Sequence, residues 1–417
     1  MSRRVWLIVA FLIAFIASPF PTTNAQSAPV WEITLFNGNN LTVATLTPQG
    51  ITNQFTLTSP RILQGAVYNA TLSPDHTKLA FIGSYMRDDG VTYQNSVFVA
   101  DLVTQTCCLE LIDPLNSVMD GATLGPFSPD STQIAVALFS TQDVNGTADI
   151  PALFSTFNVT TGIVTANKSV DDLYPDYVTQ MTVPVESAVF GAWRADGVRV
   201  AATCLNCYIG VIEGLYQVWD PATGTLSDPI EPFSMIFRRH ELKATGESIA
   251  AVYDESYPAS GAVYPEGVPP NVVFYYSDPN QAEGQLLFQH PDALPLNMAE
   301  WVADGQAVLV NFYNFGVQEG FEMPMPTSLA GAELLFRDGT NLVAPMTDQE
   351  GFMTGTPDGW LTRNYQTNEV IYYQLANGTV TPTSLGILDD GGLCCFDVVG
   401  LNPELGTGVT SGFTVPQ

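Results

Sequence analysis

Leu72-Ser-Pro-Asp-His-Thr-Lys-Leu-Ala-Phe81 is the stretch that decides the fold, because worn copies of it recur about every 55 residues. Pro74 presets the backbone angle at the first central position of a turn, Asp75 suits the next position, and an apolar run follows at once. The stretch therefore predicts a strand, a tight turn and a second strand. The further copies are Phe127–Ser131 (FSPDS), Trp193–Gly197 (WRADG), Leu242–Gly246 (LKATG), Trp301–Gly305 (WVADG), Gly355–Gly359 (GTPDG) and, more weakly, Leu401–Leu405 (LNPEL).

A second hairpin follows each turn copy, as in Leu215–Trp219 before the turn Asp220–Gly224. Each repeat therefore carries four strands, and a period of this length indicates a repeat architecture. The last copy has no second hairpin after it, whereas Trp31–Phe36 and Leu41–Leu46 form a second hairpin with no first hairpin before it. We expect the two halves to complete one sheet, joining strands from about 29–47 with strands from about 394–414, so that no edge stays open.

The Ser/Arg-Pro/Ala-Asp-Gly turn before an apolar strand resembles the TolB-type propeller repeat, which is similar in appearance to WD-repeat propellers. The resemblance covers nearly the whole chain after its N-terminal segment. It implies an all-β propeller of four-stranded blades. We predict seven blades and a ring closed by a composite N-/C-terminal blade, with six blades as the alternative. The repeat is specific for fold and says little about function.

The N-terminus is typical of a secretory signal peptide. Arg3 and Arg4 precede the apolar run Val5–Ala17, and Thr23-Asn24-Ala25 fits a cleavage site. We expect residues 1–25 to be removed near Ala25, leaving an exported (secreted or periplasmic) single propeller domain over 26–417, without a membrane span and monomeric. The net charge of −29 becomes about −31 without the two arginines. Such a surface repels phosphate backbones, so nucleic acid is excluded as a partner.

Six cysteines fall in three close pairs: Cys107 with Cys108, Cys204 with Cys207, and Cys394 with Cys395. An even count in an exported chain predicts disulfides. One arrangement bonds the first pair to the last across neighbouring blades. Vicinal bonds within each Cys-Cys are the alternative. A bond between Cys204 and Cys207 requires a turn at the two residues between them.

The innermost strands supply the first candidate site. The side chain two residues before each turn copy is mostly small. Small residues allow the close approach that strands near a propeller axis require. His240 is the exception at this position. It follows Arg238 and Arg239 in a chain with few cations. Along a strand Arg238 and His240 share one side, and Arg239 lies on the other. Two interpretations stay open: a buried ion pair with a neighbouring acid, or an anion contact at the central channel.

The longer predicted loops supply the second candidate site, because they emerge on one face and function concentrates on such loops. They include Ser84–Gln94, Asp254–Pro270 and Tyr313–Ala330. Tyr85, Tyr93, Tyr257 and Tyr264 are expected there as stacking surface for a sugar or peptide.

Catalytic and metal-binding signals are weak. No catalytic motif, three-His set or EF-hand spacing is visible, so we predict no catalytic residues, no metal and no cofactor. The sequence favours a non-enzymatic protein that binds a protein, peptide or glycan partner through its long-loop face. The alternative is a propeller-type enzyme that acts on a glycan or peptide at the same face.

Overall fold

The computed structural model describes residues 31–59, 62, 67–86, 93–111, 121–139, 153–173, 187–203, 213–228, 231–234, 238–241, 247–252, 272–277, 284–290, 296–317, 324–388 and 396–401. The described part from residue 31 onward forms one compact unit. It is all-β, as predicted, with a single 3-10 turn at Val170–Asp172 between two sheets.

The first three repeats fold into antiparallel sheets whose strands follow one another in chain order. In the third sheet the fourth position is shared by two short strands, β15 and β16, which both pair with β14. The strands are β4 (Val67–Leu72), β5 (Lys78–Met86), β6 (Tyr93–Asp101), β7 (Thr106–Glu110); β8 (Gly121–Phe127), β9 (Gln133–Phe139), β10 (Leu153–Asn158), β11 (Val164–Ser169); β12 (Ser187–Arg194), β13 (Gly197–Thr203), β14 (Glu213–Asp220), β15 (Thr225–Leu226) and β16 (Glu231–Ser234).

The next three repeats form four-stranded sheets of the same order. Their strands are β17 (Arg238–Glu241), β18 (Ser248–Val252), β19 (Val272–Tyr276), β20 (Gln285–Gln289); β21 (Leu296–Val302), β22 (Ala307–Val317), β23 (Pro324–Leu335), β24 (Asn341–Val343); β25 (Glu350–Thr356), β26 (Gly359–Asn364), β27 (Glu369–Ala376) and β28 (Thr379–Ile387).

The seventh sheet of the described residues joins the two ends of the chain. Its order is β29-β1-β2-β3, with strands at Phe396–Leu401, Ile33–Asn37, Thr42–Thr47 and Gly50–Thr56. β29 runs antiparallel to β1, with Ile33 opposite Leu401 and Asn37 opposite Phe396. The shared sheet predicted from the sequence is thus confirmed. The closed seven-bladed ring stays a prediction.

Strands in the middle of a sheet are apolar on both faces where the sheet lies between two described neighbours, as the sixth sheet does. On β26, Leu361 packs into a cluster with Trp31 and Ile33 of the terminal sheet. The neighbouring Trp360 faces the other way, into a cluster with Leu309 of the fifth sheet. Trp360 also stacks on Tyr373, with ring centroids 5.0 Å apart. Such two-sided burial supplies the main apolar stabilisation between blades.

The first strands of the sheets converge. β4 contacts β8 and β29, β8 contacts β12, and β25 contacts both β21 and β29. In the six sheets of consecutive strands the turn motif connects the first and second strands, and in the terminal sheet β29 runs into the seventh turn copy at Leu401. The first strands therefore end at one face, called here the turn end. They begin at the opposite face, called here the mouth end, where the second strand also finishes.

An ion pair ties the fourth and fifth sheets together at the turn end. Arg337, in the turn before β24, forms a salt bridge with Glu247 and donates a 2.7 Å hydrogen bond to the carbonyl of Gly305. Its guanidinium lies 5.3 Å from the centre of the Trp301 ring. Tyr275 donates to Glu247 at 2.9 Å. The polar groups of this cluster are thus bonded to one another and to the backbone, and their role is structural.

Two predicted loops are largely strand. β5 continues to Met86 and β6 begins at Tyr93, so both ends of Ser84–Gln94 are paired strand, and residues 87–92 lie outside the described part. β22 and β23 likewise extend into Tyr313–Ala330. Aromatic and β-branched residues favour strands even where Gly and Ser interrupt them, and cross-strand pairing decides the outcome. Among the described residues, none of the helices has the length and apolarity that crossing a bilayer requires.

Candidate functional site

The carboxylates of the turn motif are occupied within their own turns. Asp130 accepts hydrogen bonds from the Ser128 hydroxyl at 2.6 Å and from the backbone N–H of Thr132 at 3.1 Å. These hydrogen bonds lower the pKa of Asp130. Asp75 has the same arrangement with Ser73, and its backbone N–H donates to Ser131 of the next sheet at 3.1 Å. Both aspartates are therefore structural, and they stabilise the turns that contain them.

A different carboxylate stands at the mouth end. Asp397 is the second residue of β29, the first strand of the terminal sheet, and its side chain is exposed. Desolvation by the surrounding protein nevertheless raises the pKa of Asp397, and the positive charge of Arg363 partly opposes that shift. Asp397 lies opposite Phe36 of β1, which packs with Phe81 of the first sheet, so its side chain is on the face of the terminal sheet that looks toward the first sheet.

Arg363 lies at the same end of the propeller, on the sixth sheet, and its positive charge acts on Asp397 from there. It lies near the end of β26, on the same face as Leu361, which packs against the terminal sheet. Only 7% of Arg363 is exposed, and its guanidinium lies 5.9 Å from the centre of the Tyr365 ring. A buried guanidinium over an aromatic face is restricted in its orientation.

Tyr365 lies beside Arg363 at the mouth end. It follows β26 directly, and 63% of the residue is exposed. Its ring crosses back over the first strand of its own sheet, because a Cβ atom at Gly351 would overlap the Tyr365 hydroxyl. Gly351 is required here by this close approach. We call Asp397, Arg363 and Tyr365 the mouth residues.

The repeat identifies the residue of each first strand that corresponds to Asp397. Counting four residues back from the first residue of each turn copy gives Tyr68, Thr123, Val189, Arg238, Asn297, Gly351 and Asp397. Asp397 and Arg238 therefore hold the same position in two different sheets. The same count along the sequence would have singled out Asp397 beside Arg238. Arg363 lies near the end of a second strand, and Tyr365 directly follows that strand. Aligning the first strands of the repeats therefore does not find these two residues.

The predicted cationic site lies on β17, the first strand of the fourth sheet. Arg238 pairs with Ala251, Arg239 with Ala250 and His240 with Ile249 of β18. β17 is an innermost strand that begins at the mouth end. The contacts of these three side chains lie outside the described part of the structure, so their role stays a prediction.

The predicted tyrosine surface needs correction. Tyr85 lies on β5, is 8% exposed and packs edge-on against Phe98 at 6.2 Å, so it is a core residue and not an open stacking surface. The reason is the extension of β5, which carries Tyr85 inward. Tyr93 begins β6 and is not in a loop either. Tyr257 and Tyr264 lie outside the described residues.

The first cysteine pair lies on β7, the outer strand of the first sheet, as predicted. Its sulfurs are bonded to each other, which is the vicinal alternative. A register shift of β7 against β6 accompanies the pair. This pairing leaves no sulfur at Cys107 or Cys108 for a bond to the last pair. Cys204, Cys207, Cys394 and Cys395 lie outside the described residues, and oxidation of all six stays a prediction.

Substitution of Asp397 by Asn is expected to change how stability depends on pH. Because the pKa of Asp397 is raised from its ordinary value of 3.8, the folded chain binds more protons than the unfolded chain between those two pKa values. This contribution to stability is lost as pH rises through that window. The variant should therefore be more stable than the parent at neutral pH, by less than about 1 kcal/mol given solvent screening. Urea unfolding from pH 3 to pH 8 measures this, and a variant less stable at pH 8 contradicts it.

No family model matches this chain, and no curated protein matches it. Among solved structures, an acylaminoacyl peptidase from Pyrococcus horikoshii is similar, with 13% identity and a TM-score of 0.42 over 85% of this chain and 50% of that chain. The propeller domain of the Trilobed protease from Pyrococcus furiosus shares 13% identity at a TM-score of 0.39, over 84% of this chain and 88% of that chain. TolB from Acinetobacter baumannii shares 12% sequence identity with this chain at a TM-score of 0.37, over 77% of this chain and 65% of that chain. This chain thus spans about half the length of the peptidase.

Proposed function

We propose that this chain is an exported binding protein that captures its ligand at the mouth end of the propeller, at the mouth residues and along the neighbouring starts of the first strands. The observation that carries the proposal is Asp397 at the start of the innermost strand of the terminal sheet, exposed to solvent although desolvation raises its pKa. Desolvating a carboxylate costs free energy, and folds accept that cost at sites that serve a ligand. The N-terminal Arg3, Arg4 and apolar run support export.

A structural interpretation competes with this proposal. Asp397 and Arg363 belong to different sheets, so their attraction also holds the sixth sheet against the terminal sheet. A pair that served only this purpose would be better buried on both sides, with the carboxylate accepting hydrogen bonds from the guanidinium. Instead Asp397 is open to water, and an exposed aromatic ring lies against the same guanidinium. This asymmetry favours a ligand site.

An enzymatic function is the second candidate, and the raised pKa of Asp397 favours it. General acids are tuned in this direction. Cleavage of a glycoside by two carboxylates would require a second carboxylate within about 5–10 Å. In the described part of the chain, the charged group that acts on Asp397 is Arg363. A binding function therefore fits these residues better.

The test uses the full exported chain and two defined probe sets, a random-heptapeptide phage library and a panel of neutral oligosaccharides. The parent is compared with three variants: Asp397→Asn, Tyr365→Ala, and Arg238→Met with Arg239→Met. We expect a selected probe to bind the parent and to lose about tenfold or more in affinity on Asp397→Asn, a cost of about 1.4 kcal/mol. Loss on the arginine double variant, with melting unchanged, would extend the site to β17.

Two outcomes contradict the proposal. Probes that bind all three variants as well as the parent would place the ligand elsewhere. Cleavage of a bound probe by the parent, abolished in Asp397→Asn, would replace the binding function by the enzymatic one.

A further inference from the structure

We propose that the ribbon formed by residues 313–317 of β22 and 324–329 of β23 binds an extended peptide of neutral or basic composition, as an added strand along the inner edge of β22. The inner edge is the one on the side of β21. This inference rests on the proposed function, because it places a ligand at the same mouth end and names the class of that ligand.

The ribbon extends beyond the rest of its sheet at the mouth end. The first strand of the fifth sheet, β21, pairs with β22 only as far as Phe312, which lies opposite Leu296. β22 continues to Val317, and among the described residues its positions 313–317 pair with β23 alone. These positions span roughly 16 Å at about 3.3 Å per residue. Two strands are marginally stable by themselves, so a third strand would stabilise the ribbon.

The outer edge of the ribbon, on β23, is unsuited to a further strand. The outer strand β24 pairs with β23 over residues 333–335 only. Further out, Pro324 lies opposite Val317 and Pro326 lies opposite Phe315. A ladder keeps proline where its nitrogen faces away from the partner strand, so the outer edge lacks an N–H donor at both prolines. Two register shifts also give β23 two extra residues, and such bulges discourage edge pairing as proline does.

The inner edge, on β22, has the opposite character. Because their proline partners cannot donate to β22, Phe315 and Val317 lie at positions whose own N–H and C=O groups point away from β23. Residues 313–317 all have partners on β23, and β22 has no extra residue among them. The groups that point to the inner edge are therefore regularly spaced, which is what an extended peptide needs for main-chain hydrogen bonds.

The first sheet has a similar extension whose side chains are covered. β5 also continues beyond its last residue paired with β4. There Tyr85 packs in one core cluster with Leu57 and Ile62, which belong to the connection before β4. The connection before β21 is shorter, 290–295 against 57–66, and it has to cross from an outer strand to an innermost one. We therefore expect no cover of this kind on β22.

Charge selects the partner. The net charge of −29 opposes the approach of a second copy of this chain and of acidic peptides. β22 and β23 contain no lysine or arginine that would offset it. A neutral or basic peptide meets no such barrier. An added strand would prolong the line of β21, which contacts β25, the strand that the Tyr365 ring crosses.

The experiment uses the full exported chain and the tightest-binding heptapeptide from the phage library, synthesised in three forms. One form is unmodified. The other two carry N-methyl groups on alternate residues, in the two possible phases. An added strand directs every second N–H to the protein, so one methylated form should lose about tenfold or more in affinity and the other should stay within about threefold. Fluorescence anisotropy measures the three dissociation constants.

Val317→Pro removes an N–H from the inner edge as Pro324 does on the outer edge, so the variant should melt as the parent does. We expect it to bind the unmodified peptide about tenfold or more weakly. Val317→Thr, the matched control, keeps the N–H and the β-branched shape and should stay within about threefold. In the parent, the bound peptide should slow hydrogen exchange over residues 313–317. If Val317→Pro melts well below the parent, this exchange and the methylated peptides decide.

Equal affinity of the three peptide forms, or selection of no peptide, overturns this inference. A parent that elutes as a dimer and a Val317→Pro variant that elutes as a monomer would also overturn it, because a second copy would then occupy the edge. If a probe ignores Val317→Pro but is lost on Asp397→Asn, the proposed function stands and the added strand fails. If no probe of either class binds, both fail.

Discussion

Removing residues 26–50 is expected to leave a chain that aggregates and does not melt cooperatively. The deletion takes away β1 and β2 and leaves β29 and β3 with unpaired edges, which are templates for intermolecular pairing. It also removes the buried Trp31, Ile33, Leu35 and Leu46. At about 1.5–3 kcal/mol for each large side chain, the loss is on the order of 10 kcal/mol, comparable to the whole stability of a typical domain. Size-exclusion chromatography and calorimetry measure this effect.

A circular permutant provides the matched control. A chain that begins at Ile51 and carries residues 26–50 after Gln417 has the same composition as the chain that begins at residue 26. If β1 must pair with β29, this permutant should fold and elute as the parent does, while the deletion should not. A deletion variant that is monomeric and melts near the parent would contradict the shared sheet and the closure of the ring.

Glu350→Ala is expected to cost about 3–5 kcal/mol of stability, because it breaks a buried hydrogen-bond network. Glu350 is 2% exposed. It accepts hydrogen bonds from the Thr362 hydroxyl at 2.6 Å, the Tyr373 hydroxyl at 2.7 Å and the Thr347 hydroxyl at 2.7 Å. Burial, together with the hydrogen bond to Glu350, raises the pKa of Tyr373. Alanine would leave these hydroxyls buried without their acceptor.

Urea unfolding of Glu350→Ala, Tyr373→Phe and the double variant separates the network from simple loss of volume. We expect the double variant to be more stable than the sum of the two single losses predicts, since both remove the same hydrogen bond. Glu350→Gln, which keeps the size and one acceptor oxygen, should cost clearly less than alanine. Strict additivity of the two losses would contradict a coupled network.

The turn chemistry made the architecture predictable. Pro74 and Asp75, and their counterparts in later copies, define a local structure that does not depend on distant contacts, so the strand pairs on either side followed from the sequence. The shared terminal sheet was predictable for the same reason, because an incomplete repeat at each end leaves one consistent arrangement.

The site was less accessible from the sequence because it depends on contacts between sheets. Tyr85 was misplaced since propensity could not show that β5 extends to Met86. Asp397 stands in an ordinary strand, and its pKa becomes unusual only through desolvation by the residues that the fold packs around it. Tyr365 becomes one of the mouth residues because Gly351 lets its ring cross the first strand. Only the position of Arg238 at the start of an inner strand pointed to the mouth end in advance.

The most direct test of binding at the mouth residues is a crystal structure of the chain with its best-bound probe, whichever class that probe belongs to. We expect the probe at the mouth end, in contact with Asp397 or with the Tyr365 ring. A probe bound at the turn end or along the outer strands, with the mouth residues free, would contradict it.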